Sequence, residues 1–431
     1  MMRKMLMAAG LSLAALWPCS DVVAGGRLHY GDLRPEVPPG FKPLRNNDEA
    51  GLWMAVDRQE EQLEYSQFVL RQPDLNAYVK SIVCRLAPDY CSDIRVYIVR
   101  TPHFNATMRP NGVMEVWTGL LLRMQNEAQL AAVLGHEIGH YLRRHSIKNW
   151  RNMRNTSDFM AFLTLGIVAA GGGYDTAESI NLLAVASMFK FGRDQEAEAD
   201  MFGLQMMVHA GYDPREAANV WQYMLSESEA ACLSAYKDRK LAKKGRRALT
   251  KGYLAKIDKA AAKHCSKHSR SLGDVLFATH PPSEDREKTL RDTADWIVSK
   301  ESGFTTGEKQ YFQELRPYLP MFMQDQLRLR DYGRAEFMLR HLEEEPVWKG
   351  YGRYFMAELL RQRAREGDSQ KALALYEEAV KSPDVPAAAW RGLGFMQLKA
   401  GHAGAAKKAF STYLQLDPDA ADKAMIEFYV R

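Results

Sequence analysis

The chain has 431 residues, of which 46% are hydrophobic and 26% charged. Two or three globular domains fit that length, whereas collagen-like, wholly disordered and disulfide-miniprotein classes do not fit that composition. No nucleic-acid-binding motif accompanies the net charge of +5, and no stretch reaches the ~20 apolar residues of a spanning helix.

In chain order, Arg3 and Lys4 precede an apolar run from Leu6 to Trp17, and Val22-Val23-Ala24 ends on a small residue. Residues 1–24 therefore read as a cleaved export signal. Cys19, three residues after Leu16, offers a minor lipoprotein alternative, although Trp17 and Pro18 are poor lipobox residues. The other cysteines, Cys84, Cys91, Cys232 and Cys265, are even in number, which in an exported chain suggests two disulfides. Cys84–Cys91 would close a tight loop and Cys232–Cys265 a longer one; four buried thiols are the alternative.

Pro35, Pro38, Pro39 and Pro43 give an extended lead-in. Helices are predicted from about 50 to 70 and from 73 to 86. Ile94 to Val99 alternates apolar and polar residues with period two, the pattern of a strand. Pro110-Asn111-Gly112 signals a turn before a second short strand, Val113 to Trp117, so a hairpin is expected. Asn126 is a good N-cap for the next helix, with Gln129 three residues on as in a capping box. Leu130, Val133, Leu134, Ile138, Tyr141 and Leu142 then recur at helical spacing. The uncharged stretch 159–173 is too short to span a bilayer and reads as a buried or interfacial hairpin. A second long helix is predicted from about 178 to 210, stopped by Gly211, with Asp213-Pro214 starting another.

Between Lys237 and Arg270, thirteen Lys/Arg face only Asp238 and Asp258, a local +11 on a chain whose remainder is net negative. Such an insertion could meet anionic lipid, lipopolysaccharide or an acidic partner; a solvated helical hairpin is the plainer reading. From about Phe312 the chain repeats itself with a period of 34. Gly367, Ala372, Tyr376 and Ala379 return as Gly401, Ala406, Phe410 and Tyr413, and Trp390-x-x-Leu393-Gly394 with Pro418 completes the second copy. A weaker copy lies near Tyr332-Gly333. The pattern resembles the tetratricopeptide repeat, whose stacked helix pairs present a concave binding surface.

The sharpest feature is His136-Glu137-Ile138-Gly139-His140. Residues four apart share a helix face, so the two imidazoles can hold one Zn²⁺ while Glu137 serves as general base. A surface histidine pair is the bland alternative, but a polar triplet interrupting an apolar stripe is costly without a task. A third protein ligand is required. A metzincin would need glycine at 143 and histidine at 146; Arg143 and Ser146 stand there, with His145 one residue early. Thermolysin-like patterns need a glutamate some twenty residues on, where Asp158 is the only acid and reads as an N-cap. The remaining candidate is Arg193-Asp194-Gln195-Glu196-Ala197-Glu198-Ala199-Asp200. There Glu196 could ligate the metal and Asp200 could fix the tautomer of a ligand histidine, while Glu198 points to another face, toward solvent.

With HExxH followed by ExxxD, the chain resembles the HtpX-like and CAAX-prenyl-endopeptidase-like gluzincins, and among them the soluble periplasmic BepA-type members with a tetratricopeptide tail. Asp74-Leu75-Asn76-Ala77-Tyr78-Val79 and Gly211-Tyr212-Asp213-Pro214 also look like stretches of that group. The resemblance implies a mainly α fold with a small β-sheet in a zincin-like peptidase domain, followed by an all-α repeat solenoid. The expected divisions are 1–24 signal, 25–305 peptidase with the basic insertion 230–270, and 312–431 repeats. It also implies one Zn²⁺ per chain on His136, His140 and Glu196, with Glu137 as base and Asp200 behind a ligand. His280-Pro281-Pro282-Ser283-Glu284-Asp285-Arg286 resembles the family's HPxxxxR stretch. There His280 and Arg286 would stabilise an oxyanion, or His280 would close the site as a fourth ligand. Asn105 and Ala106 match the family's substrate strand, but Met108-Arg109-Pro110-Asn111-Gly112 is bulkier than its usual proline-glycine-glycine turn. The implied function is periplasmic cleavage of misfolded or misassembled outer-membrane proteins, with the repeats recruiting clients or assembly machinery and a possible peripheral membrane contact. A chaperone or assembly adaptor with a latent peptidase site is the alternative.

Overall fold

A computed structural model describes residues 33–154, 191–244, 251–268, 280, 284–344 and 348–431. The expected export signal with Cys19, Asp158 and the uncharged 159–173 stretch lie outside the described residues. The chain divides into two units, Met1–Leu33 and Arg34–Arg431, and every helix and strand of the described residues belongs to the second. That unit is mainly α-helical with one small sheet, as the sequence implies. Among the described residues no helix is long and apolar enough to cross a membrane.

Helix α1 (Asp48–Tyr65) starts on Asn47, whose side chain accepts from the Glu49 N–H. It stops short of the expected 70, because Val69–Leu70 (β1) instead pair antiparallel with Ile98 and Val99. Helix α2 (Pro73–Leu86) carries proline in its first turn, where a missing N–H costs nothing. Strand β2 (Arg95–Val99) and β4 (Val113–Trp117), expected as the two arms of a hairpin, instead run parallel; the turn at 110–112 closes a hairpin between β4 and β3 (Ala106–Met108), a strand too short to show a period. Glycine is required at the turn: Gly112 has φ +89°, and a Cβ there would stand 2.3 Å from the Asp93 carbonyl oxygen.

The strand order β1-β2-β4-β3 leaves β3 at an edge. Asn105 accepts from the Trp117 N–H and Arg109 donates to the Val113 carbonyl. By alternation, the backbone groups of Ala106 and Met108 therefore face away from β4, toward the side on which no strand pairs among the described residues.

Helices α3 (Thr118–Arg123), α4 (Glu127–Leu142) and α5 (His145–Arg154) follow. Asn126 caps α4, accepting from the Gln129 N–H at 2.8 Å, while the Gln129 side chain reaches back to the Gln125 N–H. Leu130, Leu134 and Ile138 on α4 are fully buried. Of the helix expected from 178 to 210, residues 178–190 lie outside the described residues; Phe191 and Gly192 are not helical, and α6 spans Arg193–His209. Gly192 is its N-cap in extended conformation, its N–H donating to Gln195 Oε1 at 3.0 Å.

The next helix, α7 (Arg215–Lys244), is roughly 45 Å long at 1.5 Å per residue. Cys232–Cys265 ties it to α8 (Lys251–His268), and Cys84–Cys91 closes the loop after α2, the two pairings considered above. Helix α9 (Glu284–Val298) precedes α10 (Glu308–Leu315), α11 (Leu319–Arg328), α12 (Tyr332–Glu344), α13 (Lys349–Arg363), α14 (Asp368–Ala379), α15 (Ala387–Lys399), α16 (Ala403–Leu416) and α17 (Lys423–Val430). Tyr376 and Phe410, one 34-residue period apart, each lie on a glycine: a Cβ at Gly392 or Gly394 would come within 2.4 Å of their rings.

Buried charge joins these last helices to the earlier ones. Glu227 on α7 is fully buried and accepts from Arg123 Nε at 2.9 Å on both oxygens, with Arg334 of α12 at 3.2 Å. Arg100 pairs with Asp325 of α11 at 2.6 Å.

Candidate metal centre

The centre forms where α4 and α6 nearly touch. Gly135, Gly139 and Gly203 lie at their contact: a Cβ on Gly203 would stand 2.7 Å from the His136 backbone nitrogen, and one on Gly139 would stand 3.0 Å from the Ala199 carbonyl. Only hydrogen at these positions lets the helices close enough for Glu196 and Asp200 on α6 to reach the imidazoles of α4.

Four donor atoms from His136, His140, Glu196 and His280 lie within 4.8 Å of one another. His136 Nε2 is 3.0 Å from His140 Nε2 and 3.2 Å from His280 Nδ1. Glu196 Oε1 is 2.9 Å from His280 Nδ1 and 3.5 Å from His140 Nε2. Zinc bound tetrahedrally at ~2.0–2.2 Å sets its donors roughly 3.3–3.6 Å apart, so the cluster has the right size. His280 supplies the fourth corner.

The tautomers agree. His136 Nδ1 faces Asp200 Oδ1 at 2.9 Å, which favours the proton on Nδ1 and leaves Nε2 bare. His145 Nε2 lies 2.8 Å from Glu198 Oε2, and its Nδ1 lies 2.9 Å from His140 Nδ1. Glu198 holds the proton on His145 Nε2, so His145 Nδ1 accepts and His140 Nδ1 donates. His140 Nε2 is then bare as well. Two imidazole lone pairs facing each other at 3.0 Å repel unless a cation lies between them, which is the donor chemistry of a metal site.

Charges around the cluster are compensated. Burial pushes the Glu137 carboxyl up, against the opposing pull of His280 and His136, and the Met108 N–H of β3 donates to it. Burial would also raise Glu196, but the charge of His280 outweighs it and holds that carboxyl well below the ordinary range. Burial keeps the His140 imidazole well below its usual value, and therefore neutral. For Asp200, burial is outweighed by Arg286.

Arg286 on α9 donates from Nε and Nη2 to Asp200 at 2.7 and 2.8 Å, and its Nη1 lies 2.7 Å from Glu196 Oε2. Its guanidinium sits over Trp221 of α7, 4.5 Å from the ring centre. In this placement it braces the Asp200 and Glu196 carboxylates. His280 Nε2 is 3.4 Å from Glu137 Oε1. A cavity of about 40 Å³ beside His136 and Glu137 is walled by Val133, Leu204, Val220, Trp221 and Leu290. Asn105 is buried and precedes the edge strand.

Sequence reasoning missed His145 and misplaced Glu198. Glu198 faces Arg143 at 2.7 Å as well as His145, and is not merely solvated. Phe191, stacked on His140 at 3.8 Å, was also unforeseen. Its position next to Gly192, the N-cap of α6, was the available signal.

Residues 69–294, just over half of the chain, match the family described as peptidase family M48. The chain is 30% identical over 215 residues to the mitochondrial metalloendopeptidase OMA1 of Schizosaccharomyces pombe, covering 48% of this chain and 62% of that protein. It is 24% identical over 175 residues to the beta-barrel assembly-enhancing protease of Escherichia coli, covering 39% of this chain and 36% of that protein. It is 33% identical over 135 residues to the human mitochondrial metalloendopeptidase OMA1, covering 30% of this chain and 26% of that protein. The chain thus spans less than two thirds of the length of each of these curated relatives.

Proposed function

This chain belongs to peptidase family M48, and from that premise we propose that it is an exported, periplasmic zinc endopeptidase that cleaves misfolded or misassembled outer-membrane proteins. The observation that carries the reading is the convergence of His136, His140, Glu196 and His280 beside Glu137, next to β3, the edge strand of the sheet among the described residues. Zinc, when bound by these residues, supplies a Lewis acid for a peptide carbonyl. Glu137 takes a proton from the attacking water and returns it to the leaving amine; a carboxyl raised by burial suits both halves of that task. Substrate backbone adds to β3 at Ala106 and the Met108 carbonyl as a further strand, beside Asn105. Asp200 and His145 hold the imidazoles, and Arg286 braces Asp200 and Glu196.

We read residues 312–431 as tetratricopeptide repeats that recruit clients or assembly machinery. The seating of Tyr376 and Phe410 on Gly392 and Gly394 supports that reading. A cleft of about 540 Å³ where α7 meets α12, lined by Tyr223, Phe337 and His341, offers room for a client segment. The curated relatives named as assembly-enhancing proteases support the outer-membrane client class.

One observation favours a second reading, a chaperone or adaptor with a latent site. His280 occupies the corner that a catalytic zinc keeps open, so in the first reading His280 swings out as a gate. The test uses Glu137→Gln and His280→Ala with a misassembled outer-membrane client. Clients that stay bound and uncut on E137Q, with faster cleavage by H280A, support the gated peptidase. An E137Q protein that replaces the wild type in every assay supports the adaptor.

A further inference from the structure

We propose that the disulfide-tied hairpin of α7 and α8 is a docking surface for anionic lipid headgroups. At 100° per residue, Lys256, Lys259 and Lys263 share one face of α8. All three are exposed, while Ile257, Ala261 and Cys265 on the opposite side are buried. Lysine side chains are therefore displayed along the hairpin rather than drawn into its core.

The acids of this segment are already engaged. Asp258 lies 2.8 Å from Lys237, and Asp238 lies 2.6 Å from Arg365 of the repeat helices. Among the described residues none of the three stripe lysines has a carboxylate partner. Arg239 and Lys240, exposed near the end of α7, lie over the Tyr236 ring at 5.7 and 5.2 Å and add to the same field. The Cys232–Cys265 bridge ties the two helices into one cationic arm.

The character of the face selects the partner. Protein interfaces rest on aromatic and arginine anchors in pockets. The α8 stripe has none: Gly252 precedes its lysines, Ala260 lies among them and Ser266 follows, all exposed. A flat array of ammonium groups, each a hydrated point charge, suits a continuous sheet of phosphates. Docked there, the arm would hold the α4–α6 centre near a membrane surface through α7, whose first turns carry Trp221 over Arg286.

The test is co-sedimentation of the full chain, disulfides formed, with vesicles of phosphatidylcholine alone or mixed with phosphatidylglycerol. Each lysine at an anionic surface is worth about fivefold in binding, so K256Q/K259Q/K263Q should bind the mixed vesicles about a hundredfold more weakly. K256R/K259R/K263R should bind like the wild type, and phosphatidylcholine alone should capture neither. Raising salt from about 0.1 to 1 M, which shortens screening from ~10 to ~3 Å, should release the chain. A glutamine variant that binds as well as the wild type overturns the proposal, as does a chain that ignores the mixed vesicles. Lysine-dependent capture by polyglutamate without vesicle binding also overturns it, in favour of an acidic protein partner.

Discussion

His140 Nδ1 lies 2.9 Å from His145 Nδ1, and His145 is in turn held by Glu198 at 2.8 Å. His140 therefore rests on a second histidine where His136 rests on a carboxylate. Partners of this kind typically govern metal affinity by 10–100-fold. His145→Ala should raise the zinc dissociation constant by about that factor, measured by competition with a chromogenic chelator. Glu198→Gln, which leaves His145 in place but removes the charge that fixes its proton, should have a smaller effect in the same direction. Affinity unchanged in both variants would mean that His145 is a packing residue only.

The contact of α4 with α6 gives a sharper geometric prediction. Gly203→Ala places a methyl 2.7 Å from the His136 backbone nitrogen, and backbone cannot rotate away. The helices must part, so the variant should lose about 1–3 kcal/mol of stability and bind zinc less tightly. Gly404→Ala is the control, since a Cβ there meets nothing within 4 Å; it should be neutral or stabilising by up to about 1 kcal/mol. Urea unfolding and zinc content of both proteins measure the contrast, and equal behaviour would sink the close-approach argument.

How far the centre can be read from sequence depends on whether its residues share a continuous helix. His136, Glu137 and His140 do, as do Glu196 and Asp200, so a spacing of four places each pair correctly. His145 does not. On an unbroken helix it would lie about 140° around from His140 and face away. The chain instead leaves the helix at Arg143, turns through Arg144 with φ 54°, and starts α5 at His145, which brings that ring back to His140. The same turn places Arg143 and His145 beside Glu198, which points away from Glu196 by helical spacing. An HPxxxxR stretch likewise does not reveal that Asp200 and Glu196 both lie within reach of Arg286. In the fold, period-two alternation marked β2, but Val69 and Leu70 are too few to show any period.

A final prediction concerns pH and the turn between α13 and α14. Ala364 with φ 53° and Gly367 with φ 81° reverse the chain there. Arg363 clamps Asp368 from Nε and Nη2 at 2.9 and 2.8 Å, and the Arg365 N–H donates to the same carboxylate at 2.9 Å. Burial would raise the Asp368 carboxyl, but Arg363 outweighs it and holds it below the ordinary range. A carboxyl lowered in the folded state stabilises fully above its unfolded value near 3.9, and that contribution disappears as pH falls through the folded value. Asp368→Asn should therefore cost about 1–3 kcal/mol at pH 7, where a charged hydrogen bond is lost. The gap between variant and wild type should close as pH drops below about 4. Thermal unfolding from pH 7 to pH 3 reads this directly. A gap of constant size would mean that the charge of Asp368 contributes nothing and that its shape alone holds the turn.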